Sequence, residues 1–192
     1  MKVKNQWALV ESFDREQVLK KLERIGRVCY GSEDKITDTS APRFIERLVS
    51  RGHESVLEHV SLTVEILTDR GIQQELTRHR LASYTIESTR YIKYKELVVC
   101  PSSETDHVDY SMYEDLYREL LQVTTAEHAR DVLPLCLAGK IYMTANLRQW
   151  RHIFKVRYFG QTGRPHPKML ELMHQIYVQM ACKLPEVFKT FD

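Results

Sequence analysis

Hydrophobic positions recur first at helical spacing. Val18, Leu22, Ile25 and Cys29 return every three or four residues after Asp14, which forms a capping-box pattern with Gln17. This predicts a helix from Asp14 to Tyr30, ended by Gly31-Ser32-Glu33-Asp34. Ser40 is placed to cap a second helix that turns Phe44, Ile45, Leu48 and Val49 inward and stops at Gly52. The period then drops to two: Val60, Leu62, Val64 and Ile66 alternate with His59, Ser61, Thr63 and Glu65, which predicts a half-buried strand over Leu57–Leu67. Asp69 or Arg70 opens a short helix carrying Gln74, Glu75, Arg78 and His79, and Thr85–Val99, rich in β-branched and aromatic residues, reads as extended. Met112, Tyr113, Leu116, Leu120, Leu121 and Val123 support a helix from Asp109 to Arg130, broken before Leu133-Pro134. A strand over Ile141–Thr144, a helix over Asn146–Tyr158 and a last helix over His166–Leu184, with Met169, Met173, Ile176 and Met180 on one stripe, complete the pattern.

With no internal repeat, low-complexity tract or long linker, the 192 residues read as one α+β domain of mixed α/β character spanning 1–192. A chain 43% hydrophobic and 28% charged is ordinary for a globular protein, and a net charge of +2 argues against a surface built to coat nucleic acid. Local charge therefore carries more meaning than bulk charge. No apolar run approaches the roughly 20 residues of a bilayer span, and Met1-Lys2-Val3-Lys4-Asn5-Gln6 precedes no signal-peptide core, so a cytoplasmic protein without membrane partners is expected. Cys29, Cys100, Cys136 and Cys182 lie far apart and read as buried, reduced thiols. Cys100-Pro101 has no neighbour in sequence that would activate a nucleophile.

Arg78-His79-Arg80-Leu81-Ala82-Ser83-Tyr84-Thr85-Ile86-Glu87-Ser88-Thr89-Arg90 holds three arginines, a histidine and a single acid. Guanidinium groups donate paired hydrogen bonds to phosphate and stay protonated, so the segment is suited to trap a phosphorylated ligand. Taken alone such a run is more often a solvated basic face. The seven glycines form neither Gly-x-Gly-x-x-Gly nor a Walker loop, which leaves phosphate binding to side chains. In Gly52-His53-Glu54-Ser55-Val56-Leu57-Glu58-His59 the two histidines stand six apart, which does not match the one-face spacing of a His-Glu-x-x-His zinc site, so no metal is expected. From Asn146 to Tyr158, Leu147, Trp150, Phe154 and Tyr158 share the inward stripe, Arg157 flanks it, and Asn146, Arg148 and His152 point elsewhere.

Together these segments resemble the flavin-dependent thymidylate synthases. That family's signature, Arg-His-Arg, seven residues, Ser-x-Arg, is met without a gap by Arg78-His79-Arg80, Leu81 to Glu87 and Ser88-Thr89-Arg90. The resemblance extends to Gly52–His59 upstream and to Leu133-Pro134, Asn146-Leu147-Arg148 and Arg157 downstream. It implies a mostly antiparallel central sheet flanked by helices. It also implies FAD as cofactor, NADPH as reductant and 5,10-methylenetetrahydrofolate as carbon donor for the reductive methylation of dUMP to dTMP. The enzyme would be a homotetramer whose sites are shared between subunits.

Carried over by position, Ser55, Arg78, His79, Arg80, Ile86, Asn146, Leu147, Arg148 and His152 contact FAD, with His53 a candidate for the folate side. Glu75, Leu76, Thr77 and Arg78 line dUMP together with Ile86, Glu87, Ser88, Thr89, Arg90 and Arg130. Arg157 stands against the uracil ring as the catalytic group. The sequence departs from common family residues at Glu75, Thr85, Ile86 and His152. Two other functions remain open at this point: a relative that makes a hydroxymethyl nucleotide, and a non-enzymatic protein that lays the basic, tyrosine-flanked Arg78–Lys95 segment on a nucleic-acid backbone.

Ser88 has no general base beside it in sequence, so the resemblance makes it a phosphate ligand and not a nucleophile. Ser88→Ala is expected to weaken dUMP binding about tenfold, the worth of one hydrogen bond to a charged group, while turnover stays measurable. Isothermal titration beside steady-state rates checks this, and abolished turnover with unchanged dUMP affinity would reinstate a nucleophile.

Overall fold

The structure, a computed structural model, describes residues 1–189 and Phe191. Four strands, β1 (Gln6–Leu9), β2 (Ser61–Asp69), β3 (Ala82–Ile86) and β4 (Ala138–Asn146), are hydrogen-bonded in the order β1-β2-β4-β3. The Val10 N–H donates to the Thr63 carbonyl at 3.1 Å and the Thr68 hydroxyl donates to Asn5 Oδ1 at 2.8 Å. Residue numbers thus rise along β1 as they fall along β2, an antiparallel pairing. The same holds for β2 and β4, where the Thr63 hydroxyl lies 2.9 Å from that of Thr144 and Tyr142 donates to Glu65. The sheet is antiparallel, as expected. Along β2, Leu62, Val64 and Ile66 are buried while Ser61 is exposed and Thr63 and Glu65 are half-buried, which is the alternation read from the sequence.

The chain divides into two units, Met1–Ala8 with Val64–Met143 and Leu9–Thr63 with Thr144–Asp192. The first contains α3 (Arg70–Thr77), α4 (Ser111–Val123) and α5 (Ala126–Ala129). Its satellite core packs Tyr94, Tyr113, Leu120, Leu121, Val132 and Leu133 around the buried Leu97, Tyr117, Ala129 and Leu137. Asp69 caps α3 by accepting from the Ile72 N–H at 2.8 Å.

The second unit contains α1 (Arg15–Val28), α2 (Ala41–Ser50), α6 (Leu147–Arg157), α7 (Pro167–Lys183) and α8 (Pro185–Phe188). Asp14 caps α1, accepting from the Glu16 and Gln17 N–H groups. Gly26 lets α2 come close: a Cβ there would stand 2.9 Å from the Phe44 ring. Trp150 and Phe154 are fully buried and stack at 5.9 Å, Phe188 meets Phe154 edge-on at 5.7 Å, and Met169, Met173, Ile176 and Met180 close the core from α7. The Trp150 indole N–H donates to the Leu62 carbonyl at 3.2 Å, so the one polar atom of that ring is satisfied.

Several expectations are corrected. Glu54–His59 forms a 3-10 helix, so the strand begins at Ser61 and not at Leu57. Extended structure after Thr85 stops at Ile86, because the Ser88 carbonyl accepts from the Tyr91 and Ile92 N–H groups and folds the chain into a turn. The helix expected over Asp109–Arg130 breaks after Val123, where the β-branched run Val123-Thr124-Thr125 weakens helical backbone and Thr125 is extended. Ser40 stands at the α2 N-cap without bonding a helical N–H; its hydroxyl donates to Glu23 instead. Of the four thiols only Cys100 is buried and Cys136 half-buried. Cys29 is exposed at the end of α1, and Cys182 is exposed on α7, two residues beyond the buried Met180.

Candidate functional site

The predicted site residues fall into two groups, one in each unit. In the first unit α3 ends at Arg78, its C-cap. Arg78 and Arg80 are exposed on either side of the buried His79, and neither has an ion-pair partner among the described residues. The backbone beneath them is fixed. The His79 N–H donates to the Leu76 carbonyl at 3.0 Å, and the Tyr84 hydroxyl, on β3, lies 2.6 Å from the Leu76 carbonyl and 2.9 Å from that of His79. Leu76 is fully buried, Glu75 and Thr77 are half-buried, and the Thr77 hydroxyl donates back to Gln74.

The far end of the signature is held by a partly buried polar lattice. Arg70 donates to Gln73 Oε1 at 2.9 Å and to the Glu87 carbonyl at 2.8 Å. The Gln73 amide, buried, donates to the Gly139 carbonyl at 2.7 Å. A Cβ on Gly139 would stand 3.2 Å from that amide nitrogen, so the missing side chain is what admits Gln73. The Glu87 N–H donates to the Lys140 carbonyl at 2.9 Å, and its carboxylate accepts from the Tyr94 hydroxyl at 3.1 Å.

Ile86 is half-buried at the end of β3, and Ser88, Thr89 and Arg90 follow Glu87 directly into the turn, with the Arg90 N–H 3.3 Å from Ser88 Oγ. Arg90 reaches α5 through its Nε, 2.7 Å from Glu127 Oε1, which leaves its two terminal nitrogens for another acceptor. Arg130, exposed, caps that same short helix. The structure thereby joins Arg90 to the element that carries Arg130, two residues forty apart in sequence.

In the second unit Asn146 caps α6, its Oδ1 accepting from the Gln149 N–H at 2.8 Å, which leaves the amide NH₂ to donate outward. Leu147 is fully buried and its N–H bonds the Val60 carbonyl, so its side chain belongs to the core. Arg148 pairs with Glu58, His152 and Ser55 are exposed, and Arg157 is half-buried in the last turn of α6. His53 is exposed, its Nδ1 2.8 Å from the Tyr30 hydroxyl. Arg151, which the pattern analysis passed over, is buried beside Glu54 at 2.8 Å and also donates to the Val187 carbonyl. Among the described residues no cluster of three or more His, Cys, Asp or Glu could hold a metal ion, and no helix is long and apolar enough to cross a membrane.

Sequence reasoning also missed Arg70, Gln73, Tyr84, Tyr94 and Glu127. Gly139 gave no hint, because the expected strand began at Ile141 and the observed one begins at Ala138.

At the level of fold, the chain is similar to the UMP/dUMP methylase PolB from Streptomyces cacaoi bound with 5-Br dUMP, with a TM-score of 0.80 over 98% of this chain and 95% of that one at 22% identity. At the level of sequence, residues 9–186 match the family described as thymidylate synthase complementing protein (Thy1), and the chain belongs to that family. It is 34% identical over 79% of its length to a flavin-dependent thymidylate synthase of Thermococcus onnurineus, and 30% identical over 89% of its length to one of Mycobacterium bovis. It spans 63% of the Thermococcus protein, 78% of the Mycobacterium protein and 65% of a further relative from Geobacter sulfurreducens.

Burial raises the Tyr84 hydroxyl from 10.0 to about 12. Burial, reinforced by the Glu87 carboxylate, raises that of Tyr94 from 10.0 to about 12. A phenol that holds its proton more tightly when folded stabilises the fold fully below the unfolded value of 10.0, and that stabilisation is lost as pH rises through about 12. Unfolding free energy is therefore expected to fall between those two values, with Tyr84→Phe removing part of the slope. Phenolate absorbance and denaturant titrations read both, and ordinary tyrosine titration in the folded protein would contradict the packing described.

Proposed function

We propose that this protein is a flavin-dependent thymidylate synthase that converts dUMP to dTMP, binding FAD and taking its carbon from 5,10-methylenetetrahydrofolate and its reducing equivalents from NADPH. Family membership supports the class of reaction. The observation that carries the reading is the way the signature folds: an exposed Arg78/Arg80 pair at the end of α3 with no ion-pair partner among the described residues, and a Ser88–Arg90 turn pinned behind Glu87. Two uncompensated guanidinium groups on a fixed backbone suit a diphosphate, which FAD carries. Asn146 with its free amide donors, Ser55, His152 and, through exchange of Glu58, Arg148 are the second unit's candidates for the same cofactor. Bound flavin would supply the redox chemistry; the protein's own groups bind, orient and stabilise charge.

On the nucleotide side, Ser88, Thr89 and Arg90 with Arg130 are the phosphate ligands. Glu127, held on Arg90 Nε, orients that guanidinium and leaves its terminal N–H groups to donate to phosphate. Arg157 favours the ionised form of the pyrimidine and makes its C5 nucleophilic without a cysteine adduct; a preorganised cation of this kind is worth roughly 3 kcal/mol. The working assembly in this reading is a homotetramer whose sites are shared between subunits.

Anaerobic incubation with FAD, NADPH, methylenetetrahydrofolate and dUMP is expected to yield dTMP by mass. A hydroxymethyl product, or no product, contradicts the assignment. Arg157→Lys is expected to slow turnover about 100-fold, because a point charge cannot replace a planar fork, while flavin absorbance of the purified protein persists. Near-wild-type turnover would remove Arg157 from the chemistry.

A further inference from the structure

The second unit holds a cavity of about 280 Å³ between α1, the 3-10 segment Glu33–Lys35 and α2, lined by Arg27, Tyr30, Ser32, Lys35, Phe44, Arg47, Leu48 and Arg51. Four of those residues are cations and none is an acid. Arg27 is already committed: Glu23, itself 1% exposed, takes its Nε and terminal nitrogen at 3.1 and 2.8 Å, and its guanidinium lies 4.2 Å from the centre of the Phe44 ring. Glu23 in turn accepts from Ser40 at 2.9 Å, so this corner is a rigid, neutral floor.

Lys35, Arg47 and Arg51 are different. They are exposed and have no ion-pair partner among the described residues. The acids adjacent in sequence, Glu33, Asp34 and Glu46, do not line the cavity. Ser32 is 8% exposed, lines the cavity, and its hydroxyl has no hydrogen-bond partner among the described residues.

Cations at the ends of α1 and α2 complement helix dipoles, and Arg27 and Arg47 stand in those last turns. The dipoles do not explain Lys35, which comes from a separate segment, nor why Arg51 is added at the same helix end. Like charges that line one cavity repel, and an anion placed among them relieves that repulsion. Tyr30, on the wall, extends the basin to His53, the residue that the family resemblance makes a candidate for the folate side.

We propose that this basin binds a multiply charged oxyanion, with Lys35, Arg47 and Arg51 as its charge partners and Ser32 as a neutral donor. Separate point charges on two segments, in place of a ring of backbone N–H groups, suit an anion whose charges are spaced along a chain. Two molecules of the proposed reaction carry such chemistry, a folate through glutamyl carboxylates and a nucleotide cofactor through phosphates. Only the choice between those sources rests on the proposed function.

The test titrates FAD-loaded protein at low salt with tri-γ-glutamate and with inorganic pyrophosphate, for the wild type, Arg47→Gln/Arg51→Gln, and Lys35→Gln as a variant on the other segment. Binding of either probe is expected to weaken about fivefold for each cation removed, the upper worth of an exposed ion pair, and to fall with added salt. Loss confined to the glutamyl probe assigns the basin to a folate tail, and loss confined to pyrophosphate assigns it to a nucleotide. Failure of both probes to bind the wild type, or equal binding by wild type and double variant, overturns the proposal. Because the probes undergo no chemistry, failure to make dTMP would count against the proposed function and leave this result standing.

Discussion

The bidentate reach of Arg70, one arm on Gln73 and the other on the Glu87 carbonyl, is the interaction on which the first unit's site residues depend. It ties α3, which carries Arg78, to the turn that carries Ser88–Arg90, and Gln73 ties both to β4 through Gly139. Gln73 and Gly139 are buried and Arg70 and Glu87 half-buried, so their polar groups depend on partners within the lattice. Removing Arg70 leaves the Gln73 carbonyl oxygen and the Glu87 carbonyl short of a donor, and the penalty falls on the segment bearing the signature.

That arrangement explains how a chain of net charge +2 presents a strong local cation field. Acids are spent where arginines must be held: Glu23 on Arg27, Glu54 on Arg151, Glu127 on Arg90, Glu58 on Arg148. Arg78 and Arg80 receive none among the described residues. Burial then separates the structural Arg151, 2% exposed, from Arg90 and Arg148, whose exposed pairs leave guanidinium nitrogens for a ligand. It also supports reading the signature as two functional ends joined by β3, an exposed cationic head and a pinned turn.

Much of this was legible in the sequence because it was local. The caps Asp14, Asp69 and Asn146, the α1, α2, α6 and α7 stripes and the alternation of β2 all rest on spacings of two to four residues. The short β1, with only Trp7 and Leu9 half-buried, was below that resolution. Residues after Ile86 misled because Tyr94 and Leu97 resemble strand residues but pack against Tyr117, so their apolarity serves a satellite core and no ladder. The signature residues were found by their fixed spacing. The groups that position them were not, since Gln73 and Gly139 are 66 residues apart and Arg90 finds Glu127 only after the chain has folded.

The polar lattice around Arg70, and not the intrinsic preference of the turn, orders the Ser88–Arg90 end of the signature. Amide hydrogen exchange at residues 87–92 in Arg70→Met measures it directly. Loss of two charge-assisted hydrogen bonds is expected to speed exchange of the Glu87, Tyr91 and Ile92 amides at least about tenfold, while the α6 amides stay at wild-type rates. Unchanged protection across 87–92 would show that the turn stands without the lattice and would contradict the account.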